Sequence, residues 1–166
     1  MKIFLIGMPG AGKSTLGRPL AAALNLPFVD LDKEIEKHEQ KSIPEVFDLH
    51  GEEHFRKSES TLLKSWAESN RDFVLATGGG APCFHGGIEV INKHGLSVFL
   101  DVPVDELIRR IGMQTGRPLL SAADMAEKTA RLSSLYEQRR SCYQKAKIVL
   151  EEPTLPRLLE AVYLKK

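Results

Sequence analysis

Between Gly7 and Thr15 the chain reads "GMPGAGKST", directly after the apolar run "KIFLI". The spacing G-x-x-x-x-G-K-S puts Gly7, Gly12, Lys13 and Ser14 at the fixed positions of a P-loop. Small residues let the backbone curl there with its N–H groups turned inward around an anion. Gly10, Ala11 and Thr15 complete the cradle. Lys13 sets a point charge against the β- and γ-phosphates of a nucleotide, and Ser14 offers a hydroxyl ligand for Mg²⁺. A helix starting at about Lys13 would add its positive N-terminal end. The stretch predicts a nucleoside triphosphate site and leaves open what receives the phosphoryl group.

A P-loop enzyme needs an acid to organise its metal ion, usually at the end of a neighbouring strand. The strand-like run "FVLATGGG" carries none, whereas "FVDLD" carries Asp30 and Asp32. On an extended segment side chains alternate, so a D-x-D pair would present both carboxylates to one side. One would serve the water shell of Mg²⁺ and the other a substrate hydroxyl. The competing reading makes Asp32 the cap of a helix beginning near Lys33. Asp101, closing "SVFLD", is a further acid at a strand end and a candidate displaced metal acid. Gly78, Gly79 and Gly80 lack side chains in succession, which suits a backbone floor under a polar ligand. Three arginines can grip a carboxylate or phosphate through a planar fork: Arg56, Arg117 and Arg139. Arg117 sits in "GMQTGRPLLS", a glycine-bounded stretch expected to be a mobile loop that closes over the phosphates.

Other patterns carry less. His50 and His54 in "HGEEH" lack the Glu that a zinc protease motif has after its first His, and they read as an exposed helix face. "DLHG" and "NKHG" fall short of GTPase motifs, because Gly95 stands where a guanine-reading Asp would be and no apolar strand precedes "DLHG". Cys83 and Cys142 are two isolated thiols, neither a metal knot nor a disulfide framework, and point to a reducing cytoplasm. Cys83 reads as a small apolar wall residue.

The elements that must hold these residues alternate along the chain. Five short apolar runs, "KIFLI", "LPFVDLD", "RDFVLATGGG", "LSVFLDVP" and "AKIVLEEP", are separated by helical stretches. Leu16, Leu20, Ala23 and Leu24 mark a stripe on Lys13–Leu24. Phe55, Leu62, Leu63 and Trp66 mark another within a long helical stretch from about Ile43 to Asn70. Strands alternating with helices predict an α/β fold with a five-stranded parallel sheet flanked by helices. Ligands in such folds lie beyond the carboxyl ends of the strands, where the P-loop, the acids and the glycines all fall. The 166 residues suit one domain, and a 42% hydrophobic share with 27% charged residues is that of an ordinary globular chain. A net charge of +1 gives no field that would select nucleic acid or an acidic membrane. No apolar run approaches the roughly 20 residues of a membrane span.

Taken together, "GMPGAGKSTLGRPLA", "FVDLD", "GEEHFRKSE", "GGGAP", "RPLL" and the spacing from Arg139 to Tyr143 resemble the shikimate kinase family over essentially the whole chain. The resemblance implies a nucleoside-monophosphate-kinase-like P-loop fold across residues 1–166, with a substrate-binding segment at about 31–60 and a lid at about 112–124. It implies transfer of the γ-phosphoryl group of ATP to the 3-hydroxyl of shikimate with Mg²⁺, in a cytoplasmic monomer. Asp32, Arg56, Gly79 and Arg139, with Gly78 and Gly80 beside them, would bind shikimate, and Asp32 would assist deprotonation. Lys13 and Arg117 would stabilise the transferring group, Ser14 and Asp30 would hold the metal, and Arg110 with the region around Pro153 would shelter adenine. The family pattern R-x-P-x-Y reads R-R-S-C-Y here, so the spacing to Tyr143 selects Arg139 over Arg140. The rival acceptors are gluconate and nucleoside monophosphates; the rival class is a nucleotide-binding module without catalysis.

Overall fold

The computed structural model describes residues 1–114 and 122–165. In chain order the elements are β1 (Lys2–Ile6), α1 (Lys13–Ala23), β2 (Phe28–Asp30), α2 (Leu31–Glu39), α3 (Ile43–Glu68) and β3 (Phe73–Ala76). They continue with α4 (Gly87–His94), β4 (Leu96–Asp101), α5 (Val104–Gln114), α6 (Ala122–Tyr143), β5 (Ile148–Glu151) and α7 (Leu155–Tyr163). The strands form one sheet in the order β2-β3-β1-β4-β5, every neighbouring pair parallel. The central strands are buried on both faces: Ile3, Phe4, Leu5 and Ile6 of β1 and Phe73, Val74 and Leu75 of β3 are fully covered. That burial is what continuous apolar runs encode in a parallel sheet.

The strand order places β1 at the point where connections leave in opposite directions, towards β3 and β2 on one side and β4 and β5 on the other. A crevice opens at such a switch point beyond the strand ends. The loop Gly7–Gly12 fills that position, and the start of β1's exit is pressed against β4: a Cβ on Gly7 would lie 2.9 Å from the Leu100 carbonyl oxygen.

Three details differ from the sequence expectation. Helix α1 buries Gly17, Leu20 and Ala21, with Leu16 and Leu24 partly covered, while Ala23 is exposed. Strand β2 stops at Asp30, and Asp32 lies in the first turn of α2 rather than on an extended segment. The helix is capped by Asp30, whose carboxylate accepts from the N–H groups of Asp32 at 3.1 Å and Lys33 at 3.4 Å, so Asp32 is not the cap. Helix α3 begins with a capping box, in which Ser42 and Glu45 each bond the other's backbone N–H, and ends at Glu68. It is bent at Gly51, whose φ of 80° and ψ of 175° are not helical. Trp66, near its C-terminal end, packs edge-on against Phe73, which in turn meets Phe4 edge-on, tying α3 to the centre of the sheet.

Candidate active site

Beyond the carboxyl ends of the strands lies a cavity of about 750 Å³. The P-loop forms one wall (Pro9, Gly10 and Gly12 to Leu16), Asp30 and Asp32 another, and Thr77, Gly78 and Gly79 a third. Arg109, Arg110 and Pro153 close the remaining side.

The loop is shaped by its glycines. Gly10 and Gly12 have φ of 82° and 90°, a conformation that costs other residues free energy. Gly12 is also the N-cap of α1 and supplies no side-chain bond, so the first N–H groups of the helix are left for a ligand. Lys13 reaches back over its own loop and donates to the Gly7 and Met8 carbonyls, both at 2.9 Å. Burial is the main influence on its ammonium group and brings its pKa down to about 8, opposed chiefly by Asp32. Ala11 is fully buried and shapes the loop from behind, while Thr15 lines the cavity.

The Ser14 hydroxyl donates to the Asp30 carboxylate at 3.0 Å. A hydroxyl and a carboxylate side by side under a phosphate cradle fit Mg²⁺, which typically takes one or two protein oxygens and fills its octahedron with phosphate oxygens and water. Among the described residues no cluster of three or more His, Cys, Asp or Glu offers an all-protein alternative. Asp101 instead accepts a hydrogen bond from Tyr136 at 2.9 Å, which engages the other candidate acid with α6. His54 pairs with Glu39 at 3.1 Å on the outer surface, in keeping with an exposed helix face.

Asp32 stands opposite Lys13. Burial, then the charge of Asp30, raises its pKa above the ordinary value of an aspartate. Behind it Glu59 is 2% exposed and accepts from Arg56 Nη1 at 2.7 Å. Burial raises the pKa of Glu59 as well, with the Arg56 bond acting against it. The sequence reading does not single out Glu59. Its position three residues after Arg56, inside "GEEHFRKSE", is the only trace it leaves in the sequence.

The glycine wall brings these side chains into register. A Cβ on Gly78 would lie 2.8 Å from Glu59 Oε2 and 2.9 Å from Asp32 Oδ1; one on Gly79 would lie 2.9 Å from Arg139 Nη1, and one on Gly80 would collide with the Arg56 guanidinium. The expected floor is thus also a spacer between charged groups. Arg139 faces the glycines while Arg140 is exposed, the orientation expected from the spacing to Tyr143. Tyr143 is buried and donates its hydroxyl to the Gly79 carbonyl at 2.6 Å, which anchors α6 to the wall. Arg110 donates to the Gly10 and Ala11 carbonyls at 3.5 and 3.3 Å and pairs with Glu106, so α5 is tied to the P-loop. Arg117 and most of the expected lid lie outside the described residues.

The two thiols are not isolated. Cys83, past the glycines, and Cys142, beside Tyr143, act on each other's titration, with the pKa of Cys83 raised and that of Cys142 lowered. Both are half-buried, as befits wall residues.

A parallel sheet with a P-loop at its switch point, two acids across from the loop and an arginine-lined glycine wall define a P-loop small-molecule kinase. Comparison with known proteins narrows this. The shikimate kinase family model matches residues 9–161. A shikimate kinase of Clostridium botulinum (strain 657, type Ba4) is 43% identical over 152 residues, covering 89% of this chain and 85% of the relative. The crystal structure of shikimate kinase from Bacteroides thetaiotaomicron superposes with a TM-score of 0.88 at 37% identity, covering 98% of both chains. That of shikimate kinase from Acinetobacter baumannii in complex with shikimate gives a TM-score of 0.85 at 32% identity, covering 99% of this chain and 94% of the other. The chain belongs to the shikimate kinase family.

Proposed function

We propose that this chain transfers the γ-phosphoryl group of ATP to the 3-hydroxyl of shikimate, giving shikimate 3-phosphate and ADP. The observation that carries the reading is a crevice that joins the P-loop to Asp30, Asp32, Gly78 and Gly79, with the Arg139 and Arg56 guanidinium groups packed against Gly79 and Gly80 of the same glycine wall. A small acid with one carboxylate and several hydroxyls matches that set. Arg56 and Arg139 clamp the carboxylate, while Asp32 and the backbone of Gly78–Gly80 hold the ring hydroxyls.

The P-loop N–H groups and Lys13 bind the β- and γ-phosphates, with Arg110 and Pro153 on the adenine side. Ser14 and Asp30 are the residues that would hold Mg²⁺, whose chemistry is to neutralise charge on the phosphate oxygens. The acceptor oxygen attacks the γ-phosphorus, its proton passes to Asp32, and the bond to the β,γ-bridging oxygen breaks to release ADP. A raised pKa suits Asp32 to take that proton. Lys13 faces the transferring group, and Arg117 is assigned to the same group from a lid at about 112–124 that excludes water. Catalysis is then mainly alignment and charge stabilisation. The segment 31–60 serves as the acceptor-binding part of one domain spanning 1–166. The enzyme is read as a cytoplasmic monomer, the compartment on its free cysteines.

ADP release coupled to NADH oxidation tests this, with Mg-ATP and shikimate, gluconate or a nucleoside monophosphate as acceptor. Turnover is expected with shikimate alone. Arg56→Ala and Arg139→Ala each lower kcat/KM for shikimate by roughly 10²- to 10³-fold, as expected when one partner of a buried charge pair is removed. ATP binding without shikimate-dependent turnover would overturn the reading.

A further inference from the structure

An apolar ring left partly in solvent beside a charged site calls for a reason. Phe84 is 38% exposed, and its ring centroid lies 4.2 Å from the central carbon of the Arg56 guanidinium. That distance is well inside the range of a cation–π contact. Phe55 touches the same group more loosely, at 5.2 Å.

The ring is itself held in place. After the glycine wall the chain makes a compact turn: Cys83 N–H donates to the Gly80 carbonyl at 2.9 Å, Gly87 N–H to that of Phe84 at 3.0 Å, and Ile88 N–H to that of Pro82 at 2.8 Å. A side chain on Gly87 would run into the Ala81 carbonyl, so the close packing of this turn requires glycine there. Arg56 is 11% exposed and its guanidinium also packs against Gly80. Nη1 is engaged by Glu59, which fixes one edge of the fork. Nε is buried and, among the described residues, has no hydrogen bond, with Glu52 Oε1 at 3.5 Å. The Phe84 ring lies over the guanidinium and, together with Glu59 and the backbone of Gly80, limits rotation of its plane.

We infer that Phe84 is a positioning residue for Arg56, holding the guanidinium plane so that its fork meets the acceptor carboxylate without first having to be ordered. This rests on the reading of Arg56 as a carboxylate ligand. Lost rotamer freedom is a general cost of binding through long side chains, and stacking on a fixed ring prepays it in the free protein. The effect therefore belongs in acceptor affinity and not in the chemical step.

The test is steady-state kinetics of the full chain with shikimate varied at saturating Mg-ATP, for wild type, Phe84→Leu and Phe84→Tyr. Leu keeps apolar bulk without a π face; Tyr keeps the face. Phe84→Leu is expected to raise the shikimate KM roughly three- to tenfold, the worth of a partly desolvated cation–π contact. Its kcat and ATP KM stay within about twofold of wild type, and Phe84→Tyr restores the shikimate KM. A wild-type KM in Phe84→Leu, a Tyr variant as impaired as the Leu variant, or a fall in kcat with KM unmoved would each overturn the inference while leaving the proposed activity standing. A wild-type chain that fails to turn over shikimate would overturn both.

Discussion

Lys13 shows how much one residue's surroundings change its chemistry. Bound to two loop carbonyls and partly buried at the base of the cavity, its pKa falls to about 8, against 10.5 when exposed. Between those values the unfolded chain holds the proton more tightly than the folded one, so this site contributes stability that rises with pH across the window. Nucleotide binding runs the other way, because the phosphates need the charged form. The ATP KM is therefore expected to rise as pH increases through about 8, and the rise should vanish in Lys13→Arg, which stays charged; KM measured from pH 6.5 to 9.5 checks both. The P-loop residues were legible because their spacing is itself the signal. Arg56 and Arg139 were legible through family resemblance, since a lone arginine on a helix is ordinarily solvated. Glu59 was not legible at all. A Glu three residues after an Arg is the pattern of any surface ion pair, and only the fold shows that this one is 2% exposed.

The elements were read largely correctly from period and punctuation, and the errors lie at boundaries. An Asp after a strand and before a helix is ambiguous between the two, and Asp30 resolves it by capping α2 itself. The bend in α3 was invisible because Gly51 sits inside an otherwise helical pattern. Its φ of 80° and ψ of 175° fall where essentially only glycine is at ease. Nothing lies within 4 Å of a Cβ placed there, so the penalty for Gly51→Ala is purely conformational. That change is expected to cost about 1–3 kcal/mol in urea unfolding. If the chain straightens instead, Arg56 and Glu59 move off the glycine wall. The shikimate KM then rises while the ATP KM holds, which separates the two responses.

At the scale of the whole molecule, alternation of strands and helices foretold a parallel sheet, but not the order of its strands. That order decides where the crevice opens, because it sets β1 between β3 and β4. It arises from long-range pairing that no local pattern records. The crevice is lined by parts of the chain distant in sequence: the P-loop near the start, Asp32 of α2 and the residues after β3 in the middle, α5 and Pro153 towards the end. Binding should therefore stabilise the molecule as a unit. Mg-ADP at about 100 times its Kd adds roughly 2.7 kcal/mol, which for a chain of this size raises Tm by roughly 5–10 °C. Thermal unfolding with and without Mg-ADP checks this, and Lys13→Ala should abolish most of the shift.

The glycine wall also bears on how such a site can change under selection. An inhibitor cut to the outline of the acceptor is commonly escaped by thickening the pocket with a single larger residue. Here a methyl group at Gly78 strikes Glu59 and Asp32, one at Gly79 strikes Arg139, and one at Gly80 strikes Arg56. Each step that would evict the inhibitor by bulk also pushes on a side chain the natural acceptor is read as needing, so steric resistance along this wall comes at a cost to acceptor binding.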